Sequence, residues 1–349
     1  MDEVGFFLKS YEPSLNCEVV YSEQHTSIIL RRKSTTYKAL QEYVSVPKIY
    51  SPELVNDEDF PLFLKPDIGH GSRGATVVYS VLDLQEKLAR GEFQYILSEY
   101  LPGDELTIDC FSNLESNILF AGPRQRNRVK MGISVSTQPI EITKKISEMA
   151  ICISKVLKLT GCWFFQIKAD VSGKYKLLEV AARVAGSMAL YRKLGVNFIL
   201  LDIYQRMGVE VSIPEIIPGN FKLERSLDAR VVGDIEIDSV YVDLDDCIIV
   251  KNAVNTDLVA FLYACRNKGL PITLVTRHQG NLSSTLTKYR LSGLFDRQFH
   301  LKNGESKHVV VTHTRPLFID DSFEERKSME LIPLAISMSP DMVDIGMFL

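Results

Sequence analysis

The sequence predicts two domains, an α+β domain followed by an α/β domain built on a parallel, Rossmann-like sheet. The chain has 349 residues, of which 46% are hydrophobic, and this length suits two separate cores better than one. In the second part, short apolar strands alternate with helical segments, an order typical of βαβ units. In the first part, glycine-rich and Pro-Gly turns separate the strands. We place the boundary so that the predicted domains are residues 1–232 and 233–349.

Composition and charge exclude several classes of partner. The formal charge of −4 and the isoelectric point near 5.9 argue against a general nucleic-acid binder, which normally carries a basic face. The six cysteines form no C-x-x-C pair, and no secretory or transmembrane run is evident. We therefore expect a cytoplasmic protein in a reducing compartment that binds neither nucleic acid nor membranes.

A glycine-rich loop follows the first clear strand. Upstream, a basic turn is predicted to open a helix with Ser34 as its N-cap. The apolar strand from Phe60 to Leu64 then runs into Lys65 and the loop from Gly69 to Gly74. The backbone N–H groups of such a loop can approach a phosphate, and Lys65 and Arg73 would add positive charge. The alternative for the loop taken alone is an ordinary flexible hairpin. It is neither a Walker A sequence nor a Rossmann fingerprint.

Charged residues accompany the following strands. Two strands between Tyr95 and Asp109 carry acids on either side of a Pro-Gly turn. From Arg124 to Lys130, cations recur at every second residue, so all four would share one face of an extended segment; the alternative is a solvated edge strand protected by charge. An amphipathic helix is predicted from Ile142 to Leu157. Glu179 ends an apolar strand, where an unpaired buried carboxylate is costly, so we expect a cation nearby.

In this order, the parts resemble the ATP-grasp superfamily, in the branch that looks like the carbamoyl phosphate synthase large subunit, over about Lys33 to Leu200. The resemblance implies ATP and Mg²⁺ as cofactors. The ATP-binding positions that it implies are Lys33, Lys65, Gly69, Gly71, Gly74, Glu99, Tyr100, Leu101 and Glu105. Its other positions are Arg124 and Arg126 for substrate or phosphate, Gln166 and Glu179 for Mg²⁺, and Arg183 for the transferring phosphoryl group.

The chemistry that this resemblance implies is the joining of a small carboxylate to an amine through an acyl phosphate. Two features depart from the family. Ala181 stands where an asparagine would normally supply a metal ligand, so one metal could be lost or held mainly by ATP. The segment before Lys65 is also too short for the α/β domain that usually comes first. We therefore expect part of the substrate wall to be missing or to come from a partner chain or a second copy.

In the second part, acids follow a predicted buried strand from Val240 to Val242. Asp243 and Asp245 come directly after it, and because neighbouring carboxylates repel, a cation or a shared proton is implied. The alternative is a strand that runs into an acidic loop. Thr276, Lys307, Asp320 and Asp321 follow or adjoin later strands, and a parallel sheet would collect all of these side chains at one end.

This set resembles the haloacid dehalogenase-like phosphatase superfamily, over about Val240 to Leu349. The resemblance implies a phosphorylated metabolite as substrate and an aspartyl phosphate intermediate. Asp243 would be the nucleophile, Asp245 the general acid/base, and Thr276 and Lys307 the phosphate-binding residues; the metal positions are Asp243, Asp245, Asp320 and Asp321. Cys247 departs from the usual threonine, and the spacings between these motifs are too short for a large cap domain.

The leading hypothesis is a bifunctional enzyme, an ATP- and Mg²⁺-dependent carboxylate-amine ligase fused to a Mg²⁺-dependent phosphatase. Two alternatives stay open: a phosphatase whose first domain binds ATP without chemistry, and a non-catalytic scaffold. Substrate-dependent ADP release separates the leading hypothesis from the first alternative, and hydrolysis of an aryl phosphate separates both from the second.

Overall fold

The computed structural model describes residues 2–69, 71–130, 132–226, 229–233 and 235–343. The chain divides into two compact units. The first consists of Met1–Tyr191, Val196–Pro214 and Lys222–Ala229, and the second of Arg192–Gly195, Glu215–Phe221 and Arg230–Leu349. Residues 344–349, which end the second predicted domain, lie outside the described residues. The boundary between residues 232 and 233 stays a prediction.

The elements up to residue 232 alternate helices with antiparallel strands. The helices are α1 (Asp2–Tyr11), α2 (Gln24–Leu30), α3 (Lys33–Leu40), α4 (Val81–Ala89), α5 (Lys144–Leu157), α6 (Ala189–Lys193) and α7 (Phe198–Arg206). The strands are β1 (Ile49–Tyr50), β2 (Leu62–Pro66), β3 (Thr76–Val78), β4 (Tyr95–Glu99), β5 (Glu105–Ser112), β6 (Ile118–Lys130), β7 (Ile133–Pro139), β8 (Gly161–Ala169), β9 (Tyr175–Ala181), β10 (Lys222–Arg225) and β11 (Ala229–Val232).

These strands form two sheets. A four-stranded sheet has the order β1-β4-β2-β3, and a seven-stranded sheet has the order β11-β10-β7-β6-β5-β8-β9. One face of the larger sheet is apolar and packs against α5, with Ile108, Trp163 and Phe165 in its core. Because side chains alternate along a strand, the opposite face carries Glu105, Gln166 and other polar residues. The larger sheet therefore has one face for the core and one for a site.

The amphipathic helix predicted from Ile142 to Leu157 is present as α5. Its N-cap is Thr143, whose hydroxyl accepts a hydrogen bond from Ile146 N, and it ends at Lys158 in the left-handed conformation with φ of 50°. The predicted N-cap of α3 is wrong, because Arg32 occupies that position and Ser34 lies in the first turn. The Asp67 carboxylate, from the segment after β2, instead accepts from Ser34 N and Oγ at 2.8 Å each. A tertiary contact thus provides the cap.

The second unit is built on a parallel sheet, as the sequence predicts. Its strands are β12 (Ser239–Val242), β15 (Ile272–Thr276), β16 (Arg297–His300), β17 (Pro316–Ile319) and β18 (Ile336–Met338), with the small hairpin β13 (Ile249–Val250) and β14 (Ala253–Val254) outside it. Its helices are α8 (Thr256–Asn267), α9 (Leu282–Lys288) and α10 (Phe323–Ser328). The strand order β16-β15-β12-β17-β18 places β12 in the centre, and every residue of β12 is buried. Side chains that follow β12, β15 and β17 therefore meet at one edge.

Within the described ranges, none of the helices has the length and apolar character needed to cross a membrane.

Candidate functional site

A cavity of about 160 Å³ lies in the first unit, lined by residues of both of its sheets. The predicted residues that line it are Lys33, Lys65, Gly69, Gly71, Glu99, Tyr100, Leu101, Glu105, Arg126, Gln166 and Glu179. Three predicted residues, Gly74, Arg124 and Arg183, are not part of its lining. The fold thus gathers most of the set around one cavity, from positions far apart in the chain.

Lys65 is the most buried cation of this cavity, with 5% of its surface exposed. Its Nζ donates to the Tyr37 hydroxyl at 2.7 Å, and that hydroxyl donates to the Leu178 carbonyl at 2.6 Å. Burial, reinforced by the charge of Lys33, lowers the pKa of Lys65 to about 7, while Glu179 and Glu105 oppose the shift. A polyanion in the cavity would therefore favour the protonated ammonium.

Glu179 and Gln166 form the other side of the cavity, paired in register on β9 and β8. Among the residues that the structure describes, none forms a hydrogen bond or ion pair with either side chain. A carboxylate and an amide oxygen beside two lysines are suitable ligands for a hard divalent cation that accompanies a polyphosphate. Ala181, two residues along the same strand, is buried and offers no oxygen from its side chain.

The two predicted nucleotide-contacting acids are paired with cations. The Glu99 carboxylate forms an ion pair with Lys176 and accepts from Lys48 N at 2.8 Å. Because Glu99 N also donates to the Lys48 carbonyl at 2.9 Å, a base would contact the other backbone groups of the segment from Glu99 to Leu101. Glu105 forms an ion pair with Arg126, and Lys168 Nζ lies 3.8 Å from its other oxygen. A ribose hydroxyl that bound to Glu105 would therefore contact a carboxylate that already has Arg126 and Lys168 beside it.

The glycine-rich loop needs its glycines for backbone geometry. Gly71 and Gly74 have φ of 62° and 74°, in the left-handed region that favours glycine. A Cβ on Gly74 would also lie 2.6 Å from the ring of Phe93. The turn between β6 and β7 packs against this loop, since a Cβ on Gly132 would lie 2.5 Å from the Gly71 carbonyl carbon. Gly132 O in turn accepts from Arg126 Nη2 at 2.7 Å. The turn that packs against the glycine-rich loop is therefore also bonded to a side chain that lines the cavity.

Arg124 is not part of the cavity lining, and its role toward a substrate or phosphate stays a prediction. It is 2% exposed, and its guanidinium donates to Asp109 at 2.7 and 3.1 Å. The period-two pattern of cations on β6 is also broken, because the pairing of β6 with β7 shifts register between Arg126 and Arg128. The four cations therefore do not form one free face.

Arg183 also lies away from the cavity lining. Its guanidinium carbon lies 5.1 Å from the centre of the Phe164 ring, and Nη1 is 3.4 Å from the Val184 carbonyl. Its role toward a transferring phosphoryl group stays a prediction.

In the second unit, Lys307 joins the two buried acids that follow β12 and β17. Its Nζ lies 2.9 Å from Asp243 Oδ1 and 2.7 Å from Asp320 Oδ2. Burial raises the pKa of Asp243. Burial and the charge of Asp243 together raise the pKa of Asp320 to about 6. The positive charge of Lys307 opposes the rise in both carboxyl groups. Although burial opposes it, the two carboxylates raise the pKa of Lys307. The three groups form one coupled, partly neutralised cluster.

A candidate cation position adjoins this cluster. Asp243, Cys247 and Asp321 offer ligand atoms that lie within 4.8 Å of one another. Burial raises the pKa of the Cys247 thiol, and its sulfur accepts a hydrogen bond from Asp321 N at 3.1 Å. The carboxylates of Asp243 and Asp321 are therefore the groups that fit Mg²⁺ here. Asp320, which is bound to Lys307, lies outside this group, and so does Asp245, although both were predicted as ligands.

The remaining predicted residues of the second unit are Thr276, at the end of β15, and Asp245, in the segment after β12. Thr276 is fully buried at the end of β15, and its Oγ1 accepts from His278 N at 3.1 Å. The Asp245 carboxylate faces the His278 ring, with Nδ1 3.0 Å from both oxygens. Sequence reasoning missed His278, although its place two residues after Thr276, on the loop that β15 leads into, was a usable signal.

A family model described as ATP-grasp in the biosynthetic pathway with Ter operon matches residues 92–222. Among solved structures, the biotin carboxylase–beta-gamma-ATP complex of Campylobacter jejuni matches 64% of this chain and 56% of its own, with 17% identity and a TM-score of 0.57. An L-amino acid ligase of Bacillus licheniformis matches 64% of this chain and 60% of its own, with 17% identity and a TM-score of 0.51.

N5-carboxyaminoimidazole synthetase of Staphylococcus aureus, complexed with ADP, matches 59% of each chain with 16% identity and a TM-score of 0.51. The chain thus spans under two thirds of the length of these structures. A search of curated proteins found no match. At such identities the structures show a fold, and the family model ends before the parallel sheet of the second unit. The similarity to an ATP-grasp family model therefore lies in residues 92–222, and the solved structures show an ATP-grasp-like fold.

Proposed function

We propose that the first unit is an ATP- and Mg²⁺-dependent ligase that joins a small carboxylate to an amine. The observation that carries this proposal is the cavity in which Lys33 and Lys65 lie with Glu179 and Gln166, two side chains that have no hydrogen-bond or ion-pair partner among the described residues. A polyphosphate and its metal would complete the charge of this cavity, because the cations suit phosphate oxygens and the carboxylate and amide suit Mg²⁺. The solved structures named above include a ligase and a carboxylase.

Each side of the cavity has a role in this reaction. Lys33, Lys65 and Arg73 would hold the phosphates under the glycine-rich loop, and the backbone from Glu99 to Leu101 would receive the base. Glu179 and Gln166 would hold Mg²⁺, which neutralises charge on the phosphates when bound. A carboxylate oxygen of the substrate forms a bond to the γ-phosphorus as the bond to the ADP oxygen breaks. The amine nitrogen then attacks the acyl carbon, and phosphate leaves.

The direct test is a screen of carboxylates and amines for ADP release by the full chain. Calorimetry with a non-hydrolysable ATP analogue tests the site separately. A Lys65→Ala, Glu179→Ala double variant should bind the analogue at least about 100-fold more weakly, because it removes a charged partner on each side. A double variant of the exposed residues Lys174 and Glu141 in the same unit is the matched control. Equal affinity of folded wild type and site variant would reject the assignment.

We also propose a second activity, Mg²⁺-dependent phosphate-ester hydrolysis by the second unit through an aspartyl phosphate. Its support is the grouping of Asp243, Lys307, Asp320 and Asp321 at the carboxyl edge of the parallel sheet. Asp243 would attack phosphorus, while Lys307 and Thr276 would bind the phosphate oxygens. The bound cation would screen the attacking carboxylate from the phosphate charge.

Hydrolysis of 4-nitrophenyl phosphate by the full chain with Mg²⁺ tests this second activity. Asp243→Asn should abolish it, whereas Asp257→Asn, a change at an exposed residue of α8, should leave it intact. Absence of hydrolysis by the wild type would favour a non-catalytic second unit.

The contribution of a partner chain or a second copy to the substrate wall of the first unit stays a prediction.

A further inference from the structure

Tyr37 is a buried side chain of the first unit that the proposed reaction does not use. It lies on α3, one turn after Lys33, and only 2% of its surface is exposed. Its hydroxyl contacts two groups, since it donates to the Leu178 carbonyl at 2.6 Å and Lys65 Nζ lies 2.7 Å away. Leu178 immediately precedes Glu179 on β9. One hydroxyl therefore joins the strands that carry the proposed phosphate and metal ligands.

The direction of both hydrogen bonds follows from the single proton of the hydroxyl. A carbonyl oxygen can only accept, so the Tyr37 proton goes to Leu178. The hydroxyl oxygen then offers only lone pairs to Lys65, whose amine must be the donor. Across the described part of the chain, Lys65 Nζ has no second hydrogen-bond or ion-pair partner. Its remaining N–H bonds are therefore available to a ligand in the cavity that Lys65 lines.

The helix that carries Tyr37 is itself anchored beside the end of β2. Lys33 N donates to the Asp67 carbonyl at 3.1 Å, and the Asp67 carboxylate accepts from Ser34 N and Oγ. Asp67 follows Lys65 by two residues, so the first turn of α3 is tied to the end of the strand that carries this lysine. The Tyr37 hydroxyl, one turn later, is thus held at a fixed place relative to Lys65.

The cavity offers Lys65 competing partners. Glu179 and Glu105 line the same cavity, and their charges act on Lys65. A lysine amine on its flexible four-carbon stem could turn toward either carboxylate if nothing held it. An ion pair with Glu179 would occupy a phosphate ligand and a metal ligand at once, much as Lys307 is occupied by two carboxylates in the second unit. An uncharged hydroxyl holds the amine without neutralising it.

We infer that Tyr37 is a positioning residue for Lys65, which it holds toward the phosphates of the nucleotide and away from Glu179. This inference rests on the ATP-dependent activity proposed above. Tyr37 is not part of the cavity lining, so it acts through Lys65 and not by touching the ligand. When a nucleotide binds, the contact with the hydroxyl stays in place, and phosphate oxygens accept the remaining N–H bonds of the amine.

The test is a double-mutant cycle on the affinity for a non-hydrolysable ATP analogue, measured by calorimetry on the full chain with Mg²⁺. Tyr37→Phe keeps the ring and removes the hydroxyl, so affinity should fall about 10-fold, the scale of a hydrogen bond to a charged group. Lys65→Ala removes the amine itself. In the Lys65→Ala background, Tyr37→Phe should lower affinity by less than about twofold, because the hydroxyl then has no amine to hold.

Tyr191 provides a matched control. This tyrosine is also 2% exposed, and its hydroxyl donates to the Pro123 carbonyl at 2.7 Å, but it does not line the cavity. Tyr191→Phe should lower the melting temperature about as much as Tyr37→Phe, by about 2–4 °C. It should leave affinity for the analogue within about twofold of the wild type. Tyr37→Met, a flexible apolar replacement without a hydroxyl, should repeat the loss of affinity seen with Tyr37→Phe.

The possible outcomes separate the positioning role from the nucleotide site. Unchanged affinity of a folded Tyr37→Phe variant would overturn the positioning role. Equal losses from Tyr37→Phe in the wild-type and Lys65→Ala backgrounds would overturn it as well, because the hydroxyl would then act through the fold and not through the lysine. A wild type that binds no analogue would instead refute the nucleotide site itself, and this inference with it.

Discussion

The cavity of the first unit and the acidic edge of the sheet in the second unit differ in whether their charged side chains are already paired. In the first, Glu179 and Gln166 are unpaired among the described residues and face a lysine whose charge is suppressed by burial. In the second, Lys307 already bridges Asp243 and Asp320. The first site therefore needs both a polyanion and a cation to complete its charge. In the proposed phosphatase reaction, the second site would exchange an internal ion pair for a substrate, and Lys307 would turn from a carboxylate to the phosphate.

The largest expected effect separates the two sites. Asp243→Asn should lower phosphate-ester hydrolysis at least about 1,000-fold, because the amide cannot form the aspartyl intermediate, and should leave nucleotide affinity unchanged. Phosphate release and calorimetry on the same sample measure both quantities. Loss of nucleotide binding with an unchanged circular dichroism spectrum and melting temperature would indicate a composite site instead.

The reverse change should weaken nucleotide binding alone. Lys65→Ala removes the buried ammonium that would contact phosphate, so affinity for a non-hydrolysable ATP analogue should fall about 10- to 100-fold. Hydrolysis of 4-nitrophenyl phosphate should stay within about twofold of the wild type. A Lys65→Ala variant that bound the analogue normally would place the phosphates elsewhere in the cavity.

The next largest expected effect is a pH dependence of nucleotide affinity at the first site. The pKa of Lys65 is lowered to about 7, so the ammonium is charged below that pH and must take up a proton on binding above it. Affinity should therefore be highest below pH 7 and fall by up to about tenfold per pH unit above it. Calorimetry in buffers of different ionisation enthalpy measures the proton uptake. Lys65→Arg, which stays charged, should flatten the profile, and identical profiles would contradict the cause.

The smallest expected effect concerns Ala181. Replacing it with asparagine would add a side-chain oxygen on the strand that carries Glu179, so nucleotide binding should need about two- to fivefold less Mg²⁺. A titration of Mg²⁺ against analogue binding measures this. Ala181→Leu offers no ligand and serves as the comparison, so equal shifts in both variants would mean that packing, not coordination, is responsible.

Local patterns predicted more of the fold than of the charge network. The helix from Ile142 to Leu157 and the buried strand from Val240 to Val242 were predictable because apolar period and caps act within a few residues. The N-cap of α3 was not, since the capping carboxylate of Asp67 comes from the segment after β2, more than 30 residues away in the sequence. Likewise, the burial of Arg124 depends on Asp109 across a strand pair.

The sequence by itself determined which residue types are available and in what order: the glycine loop with its lysine, the acids after the strands, and the alternation of strands and helices. Only the tertiary structure decided which charges are paired. It bound Glu105 to Arg126, Asp320 to Lys307 and Asp245 to His278, and it left Glu179 unpaired among the described residues. The physical reason is that hydrophobic period is a local property of the chain, whereas an ion pair depends on the register of strands that are distant in sequence.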